Sequence, residues 1–248
     1  MPTIYSSSSG TSNDGLMFKT NQSSWSNARD ATSATLSTAT QSTTAFTLVG
    51  RGPSRGGGSV YSIYRSFMVF DTSGITGTVS SATIKIRGSS GNDGSVIAVK
   101  STAFGGDGGT SLASGDFDAI SGWSSGSSLA GSATVYGSQI LTTSWNTGSY
   151  NDFTTTSDLR TDMQNEDVVI ICFMDYTNDY LNSALTSNGN LNIGGHFANY
   201  PGTSRDPKID YTLAATGFGH EVNNVASGSI AKVKGVATAS IAKVIGVD

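Results

Sequence analysis

The sequence contains few of the residues on which disulfides, metal centres and nucleic-acid contacts depend. Its 248 residues include one cysteine, Cys172, and two histidines, so no internal disulfide can form and no His/Cys cluster of the zinc type exists. Charged residues make up 13% of the chain and the formal net charge is −4, which excludes the concentrated basic surface that nonspecific nucleic-acid binding requires. No apolar run is long enough to span a bilayer. We therefore expect neither a nucleic-acid nor a membrane partner.

Catalytic patterns are also missing. No Gly-x-Ser-x-Gly motif lies between a strand and a helix, so no serine has the frame of an acyl-transfer nucleophile. Asp116 and Asp118 project to one side of a segment that we expect to be extended, but a glycosidase needs two carboxyl groups that face each other across a cleft. The sequence therefore predicts a non-enzymatic protein without a cofactor. A structural calcium ion at Asp116 and Asp118, or at Asn178 and Asp179, stays open as an alternative use of these oxygens.

Small and hydroxylated residues dominate the chain. Serine and threonine make up roughly a quarter of it, well above ordinary usage, and 31 residues are glycine. Residues 82–87 alternate apolar and polar side chains, which is typical of a half-buried strand. Residues 168–174 form the most apolar segment and predict a strand in which Cys172 is buried, whereas residues 156–163 favour a short helix with a hydroxyl N-cap. The fold expected is an all-β, antiparallel, jelly-roll-type β-sandwich with long Gly/Ser-rich loops.

The changes in composition along the chain predict three regions. Residues 1–45 form a polar segment with one strand, at residues 15–19, and we expect it to be part of the sandwich. Residues 46–215 form the sandwich body. Residues 216–248 form a short C-terminal tail that contains repeats.

Part of the body resembles a known kind of domain. Residues 65–75 (RSFMVFDTSGI) and residues 79–86 (VSSATIKI) are similar to the core of the carbohydrate-binding-module-like jelly-roll domains of secreted bacterial and archaeal proteins. Residues 150–153 and 205–211 are similar to the second half of those domains. The resemblance spans about 150 residues. It implies a jelly-roll fold, and a carbohydrate- or receptor-binding function of the tail-fibre or adhesin type.

The tail repeats with a period of about eleven residues. Residues 229–236 (SIAKVKGV) return as residues 240–247 (SIAKVIGV), and this motif resembles repeats at the C-termini of tailed-phage virion proteins. Each copy has too few apolar groups to bury a core of its own, so we expect the tail to bind a partner. The predicted contact residues are Ile230, Lys232, Val233, Val236, Ile241, Lys243, Val244 and Val247.

Aromatic residues supply a second candidate site. Trp25, Trp123 and Trp145 can stack on sugar rings if they line one rim, although a large aromatic side chain more often belongs to a core. The three tryptophans are the candidate glycan contacts, with a host surface glycan as the ligand.

Together these features favour a structural protein of a phage virion, specifically a capsid decoration or head-fibre protein. Its repeats would anchor it to the major capsid protein or join copies of itself. Residues 1–6 contain neither a basic nor an apolar stretch of the secretory kind, so we expect synthesis in the host cytoplasm and a final location in the virion. The alternative is a carbohydrate- or receptor-binding module.

Overall fold

The computed structural model describes residues 1–6, 14–37, 42–198 and 202–214, together with two short strands at residues 232–233 and 236–237. The chain divides into two compact units, Met1–Thr212 and Leu213–Asp248. The predicted boundary between body and tail, at residues 215 and 216, lies three residues further along.

The first unit is built from strands, which confirms the all-β prediction. In its described residues the strands are β1 (Thr3–Tyr5), β2 (Asp14–Gln22), β3 (Thr35–Ser37), β4 (Ser42–Pro53), β5 (Ser59–Asp71), β6 (Val79–Asn92), β7 (Ser95–Lys100), β8 (Val135–Leu141), β9 (Tyr150–Thr154), β10 (Val168–Met174), β11 (Gly189–His196) and β12 (Lys208–Leu213). Two short α-helices accompany them, α1 (Trp25–Arg29) and α2 (Ser157–Asn165).

The twelve strands belong to one antiparallel sheet that does not close. Its main order is β1-β12-β6-β11-β4-β5-β10-β7-β8, while β2 pairs with β3 and β5, and β9 pairs with β6. The long strand β6 pairs with β9 over residues 83–87 and with β11 over residues 88–91, so it connects two parts of the sheet. This arrangement is compatible with a jelly roll.

A first core lies between these two parts of the sheet. It packs side chains of β6, β9 and β12 against those of β4, β5, β7 and β10, as in a β-sandwich. Its members include Phe46, Met68, Phe70, Ile84, Ile86, Phe153, Phe173, Ile193 and Ile209. The alternation predicted for residues 82–87 is confirmed, because Ala82, Ile84 and Ile86 are buried and the residues between them are half-buried or exposed.

A second core covers the opposite face of the central strands. Along β10, Val169, Ile171 and Phe173 enter the first core, whereas Ile170 and Cys172 enter the second. Burial on both faces explains why this strand is a continuous apolar run. The second core is completed by α1 and by loop side chains, among them Ala28, Ala103, Phe104, Leu112, Phe117, Ile120 and Leu129. The few apolar residues of the Gly/Ser-rich loops therefore fix those loops to the sheet.

Local predictions differ from the structure in three places. The N-terminal segment contains β1, β3 and α1 besides the predicted strand, and its strand β2 pairs with β5. The predicted helix near residue 156 is present as α2, but the Thr156 hydroxyl donates to the Val135 carbonyl oxygen and does not cap the helix. Asp116 lies in a 3₁₀ turn, Ser114–Asp116, where an extended segment was expected.

Candidate functional sites

Beyond residue 214, the described part of the C-terminal unit is a small antiparallel hairpin. Its strands are β13 (Lys232–Val233) and β14 (Val236–Ala237), with Lys232 opposite Ala237 and Val233 opposite Val236. Two residues separate the strands in the sequence, and the second of them is glycine, which suits the short turns of hairpins. Three of the predicted contact residues, Lys232, Val233 and Val236, lie in this hairpin. The others, Ile230, Ile241, Lys243, Val244 and Val247, lie outside the described residues.

The three tryptophans do not share a rim. Trp145 is 7% exposed, belongs to the first core, and donates from Nε1 to the Gly194 carbonyl oxygen at 3.2 Å. Its ring is therefore not accessible to a sugar. Trp25 and Trp123 are half-buried beside the second core. A glycan role for these two stays a prediction.

Trp123 lies against a buried ionic cluster that the sequence did not predict. The guanidinium carbons of Arg29 and Arg65 lie 4.6 and 4.4 Å from the centroid of its ring. Arg65 also binds Asp179 through two hydrogen bonds of 2.7 Å, Nε to Oδ2 and Nη2 to Oδ1. Both arginines and Asp179 are fully buried. The cluster therefore connects α1 and β5 with the segments that contain Trp123 and Asp179.

Two of the three acids considered for calcium, Asp116 and Asp179, have other partners. Asp179 uses both carboxylate oxygens for Arg65, which leaves it poorly placed to bind an ion. Asp116 Oδ2 accepts from the backbone N–H groups of Ala113 and Phe104. Across the described ranges, no three His, Cys, Asp or Glu side chains are arranged to hold a metal ion. His196 is buried and His220 lies outside the described residues.

An open groove runs along β9 on the outer surface. Because side chains alternate along a strand, Asn151 and Phe153 point inward while Tyr150, Asp152 and Thr154 point outward. These three outward residues line a depression of about 590 Å³ whose other walls include Gln139, Leu141, Ser144 and Asn146. A second depression of about 360 Å³ shares Asp152 and Thr154 and extends to Thr83 and Arg160. We call the two together the β9 groove.

The β9 groove has polar walls with a few apolar patches. Gln139, Asn146, Asp152 and Thr154 are exposed, and Leu141 is 45% exposed. Lys85 Nζ lies 3.0 Å from Asp152 Oδ2, which places a cation and an anion side by side. The groove therefore offers hydroxyl, amide and carboxylate groups beside small apolar surfaces, a combination that suits a ligand with many hydroxyl groups.

Three buried polar residues meet where β1, β2 and the segment before β12 come together. Ser6, Asp14 and Asp206 are 3%, 1% and 5% exposed, and we call them the Asp14 cluster. Burial raises the pKa of Asp14 to about 7, which the hydrogen bond from the Ala198 N–H opposes and the nearby charge of Asp206 reinforces. Burial also raises the pKa of Asp206 to about 6.

The fold and these sites define an antiparallel β-sandwich-like protein whose C-terminal unit contains a repeat hairpin. No protein-family model matches the chain, and no curated protein matches it either. In the described residues, no helix is both long and apolar enough to cross a membrane.

Proposed function

We propose that the chain is a non-enzymatic structural protein of a phage virion, a capsid decoration or head-fibre protein. Its β-sandwich body is displayed on the particle, and its C-terminal repeats attach it to the major capsid protein or join copies of itself.

The repeat is the observation that carries this proposal. The eleven-residue motif falls entirely within the second compact unit, Leu213–Asp248, and its first complete copy contributes strands to the β13–β14 hairpin. An isolated two-stranded hairpin is marginal in water, so such a hairpin gains most of its stability from a surface that it contacts. Val233 and Val236 lie opposite each other in the register of the hairpin, and both are apolar residue types.

The test is to alter the tail in two ways and to measure assembly. Deletion of residues 222–248 removes all the repeats, and Val233→Asp with Val236→Asp changes only the hairpin. We expect both variants to keep the circular dichroism spectrum of the body, and to lose self-association in sedimentation velocity or incorporation into purified particles. Val233→Ile with Val236→Ile is the matched control, because it keeps apolar, β-branched residues. Unchanged association and incorporation of the deletion variant would show that the attachment role is wrong.

The β9 groove favours a second candidate function, carbohydrate or receptor binding. Each of its two depressions, about 590 and 360 Å³, is within the usual range of ligand sites, roughly 300–1,000 Å³. The side chains of Tyr150, Asp152 and Thr154 line the larger depression. Sugars have many hydroxyl groups, which amide and carboxylate side chains can bind through hydrogen bonds. A host surface glycan is the ligand that we propose for this surface.

A glycan array with the purified full chain tests this second function. Gln139→Ala with Asn146→Ala removes two exposed amides from the groove, and we expect it to reduce the signal of any bound glycan at least tenfold. Gln22→Ala with Asn27→Ala removes the same residue types from another depression and serves as the control. Equal binding by the groove variant and the wild type would exclude the groove as the binding surface.

A further inference from the structure

The peptide bond between Asp206 and Pro207 is chemically unlike every other bond of the backbone. Of the four prolines in the sequence, Pro207 alone follows an aspartate. Proline has no amide hydrogen, and the extra carbon on its nitrogen makes that nitrogen more basic and a better leaving group. The carboxyl group of Asp206 and the carbonyl carbon of this bond belong to one residue, so little entropy is lost when the two groups meet.

The structure fixes this bond in the interior through the carbonyl groups of both residues. Asp206 is 5% exposed and Pro207 is buried. The Tyr150 hydroxyl donates to the carbonyl oxygen of Asp206 at 2.9 Å, and the Ser6 N–H donates to the carbonyl oxygen of Pro207, also at 2.9 Å. The hydrogen bond from Tyr150 polarises the carbonyl group that precedes Pro207. It therefore favours attack at the carbonyl carbon and stabilises the negative charge that develops on the oxygen.

One carboxyl oxygen of Asp206 is free to react. Within the described residues, Asp206 Oδ1 is buried and has no hydrogen-bond partner. Such an atom destabilises a fold, so its presence needs an explanation. Asp210 on β12 differs, because the Thr3 hydroxyl donates to its Oδ1 at 2.6 Å and Lys85 Nζ lies 3.4 Å from its Oδ2. Hydrogen bonds of this kind lower the nucleophilicity of a carboxylate oxygen, and Asp206 Oδ1 lacks them.

We propose that the bond between Asp206 and Pro207 is a self-cleavage site, where the Asp206 carboxyl group cuts the chain in mildly acidic solution and Tyr150 assists by its hydrogen bond. One carboxyl oxygen of Asp206 forms a bond to the carbonyl carbon of the same residue. The bond from that carbon to the Pro207 nitrogen breaks, and the carboxyl proton moves to the nitrogen. A cyclic anhydride remains at residue 206, and one water molecule opens it to two carboxyl groups. Nothing is oxidised or reduced.

The surroundings of Asp206 determine the pH at which this proton is available. Burial raises the pKa of Asp206 to about 6 and that of Tyr150 to about 12, so below pH 6 both groups hold their protons. Asp14 on β2 interacts electrostatically with Asp206, and Arg205 precedes it in the sequence. Neighbouring strands place further titratable groups around Tyr150, namely Tyr5, Arg87, Asp210 and Lys208. Cleavage should therefore accelerate as the pH falls through about 6.

The cut would separate the body from the repeats, a consequence that rests on the proposed function. Residues 207–248 contain β12 and both copies of the repeat, whereas residues 1–206 contain β1 to β11. Because β12 lies between β1 and β6 in the sheet, the cut fragment stays bound until β12 leaves the sheet. Acid thus removes the covalent link between the displayed body and its attachment repeats.

The pH dependence of cleavage tests the site in the wild type. The purified full chain is incubated with protease inhibitors between pH 3 and pH 8, in buffer and in urea, and its intact mass is followed with time. We expect fragments 1–206 and 207–248, with a rate that rises through about pH 6 in buffer. In urea the rise should move to about pH 3.8, the usual aspartate pKa, and the rate at pH 5 should be at least tenfold lower. No cleavage at pH 5, or the same profile in urea, would overturn the proposal.

Variants connect the cleavage to the named groups. Asp206→Asn removes the nucleophile and Pro207→Ala the leaving group, and we expect each to slow cleavage at least tenfold. Tyr150→Phe should slow it at least tenfold in the folded protein and leave the rate in urea unchanged, because the hydroxyl acts only in the folded geometry. Tyr176→Phe changes another half-buried tyrosine and is the matched control.

Wild-type rates for Asp206→Asn, or for Tyr150→Phe in a folded state verified by circular dichroism, would show that these groups do not perform the reaction. The mass of the purified chain does not depend on assembly. Self-cleavage can therefore fail while deletion of the tail still abolishes attachment, and attachment can fail while cleavage proceeds.

Discussion

Arg65 and Asp179 form a bidentate ion pair, and both side chains are completely buried. Arg65 Nε and Nη2 each lie 2.7 Å from a carboxylate oxygen of Asp179, and the remaining Arg65 nitrogen, Nη1, donates to the carbonyl oxygen of Phe117 at 2.7 Å. The guanidinium also lies over the Phe117 ring, with its carbon 4.2 Å from the ring centroid. One side chain on β5 thus fixes two loops that are far apart in the sequence.

Removal of one member of this pair should destabilise the protein strongly. Arg65→Met leaves the Asp179 carboxylate buried with its main charge partner gone, and such losses cost about 3–5 kcal/mol of the free energy of unfolding. Urea unfolding followed by circular dichroism measures the change. The control is Glu166→Gln, because the Glu166 side chain is 42% exposed where it pairs with Lys100, and such an exposed ion pair contributes about 0–1 kcal/mol. Equal losses for the two variants would mean that the Arg65 pair does not stabilise the interior.

The buried ionic cluster shows which parts of the structure the sequence can predict. Periodicity depends on neighbours in the chain, and it correctly identified the half-buried segment of β6 and the buried strand β10. Arg65 and Asp179 are 114 positions apart, and no local pattern connects them. Periodicity does not predict the outward face of β9, because polar Asn151 points inward and aromatic Tyr150 points outward. The Asp14 cluster depends on a bridge from Ser6 to β5, which only the pairing of strands reveals.

Cys172 should not react in the folded protein. Its thiol is fully buried in the second core, and burial raises its pKa above the usual range, although the charge of Arg65 acts in the opposite direction. Since the thiolate is the reactive species, Ellman's reagent should label no thiol under native conditions and one per chain in denaturant. Rapid labelling at pH 7 without denaturant would contradict the burial of this residue.

Acid should loosen the contact between β1 and β12. Burial acts to raise the pKa of Asp210, but the hydrogen bond from Thr3 and the charges of Lys208 and Lys85 outweigh burial, so the pKa lies below its usual value of 3.8. Because the pKa of Asp210 is lower in the folded than in the unfolded protein, ionised Asp210 stabilises the fold, and this stabilisation is complete above the unfolded value of 3.8. This stabilisation is lost as the pH falls through the pKa of the folded state.

Hydrogen exchange and urea unfolding at several pH values test this dependence. The protection factors of the Thr3–Tyr5 amides, which correct for the intrinsic effect of pH on exchange, should fall as the pH drops below the usual Asp value of 3.8, because protonation of Asp210 weakens the 2.6 Å hydrogen bond from Thr3. Asp210→Asn should reduce the free energy of unfolding at pH 6, and its difference from the wild type should shrink as the pH falls. Asp93→Asn changes an exposed acid and is the control. A difference that grows toward low pH would show that the sign is wrong.

A side chain at position 137 should force β8 away from β9. Gly137 lies opposite Thr155 in an isolated bridge, and a Cβ at this position would come within 2.9 Å of the Phe153 Cβ. Gly137→Val therefore overpacks the first core, which costs about 1–3 kcal/mol of the free energy of unfolding. Because Gln139 follows on the same strand, the shift should also widen the β9 groove and reduce any glycan binding measured there. Gly115→Ala is the control, since a Cβ at position 115 would meet no atom within 4 Å. If urea unfolding shows that Gly137→Val is as stable as the wild type, then β8 and β9 do not approach as closely as their bridge requires.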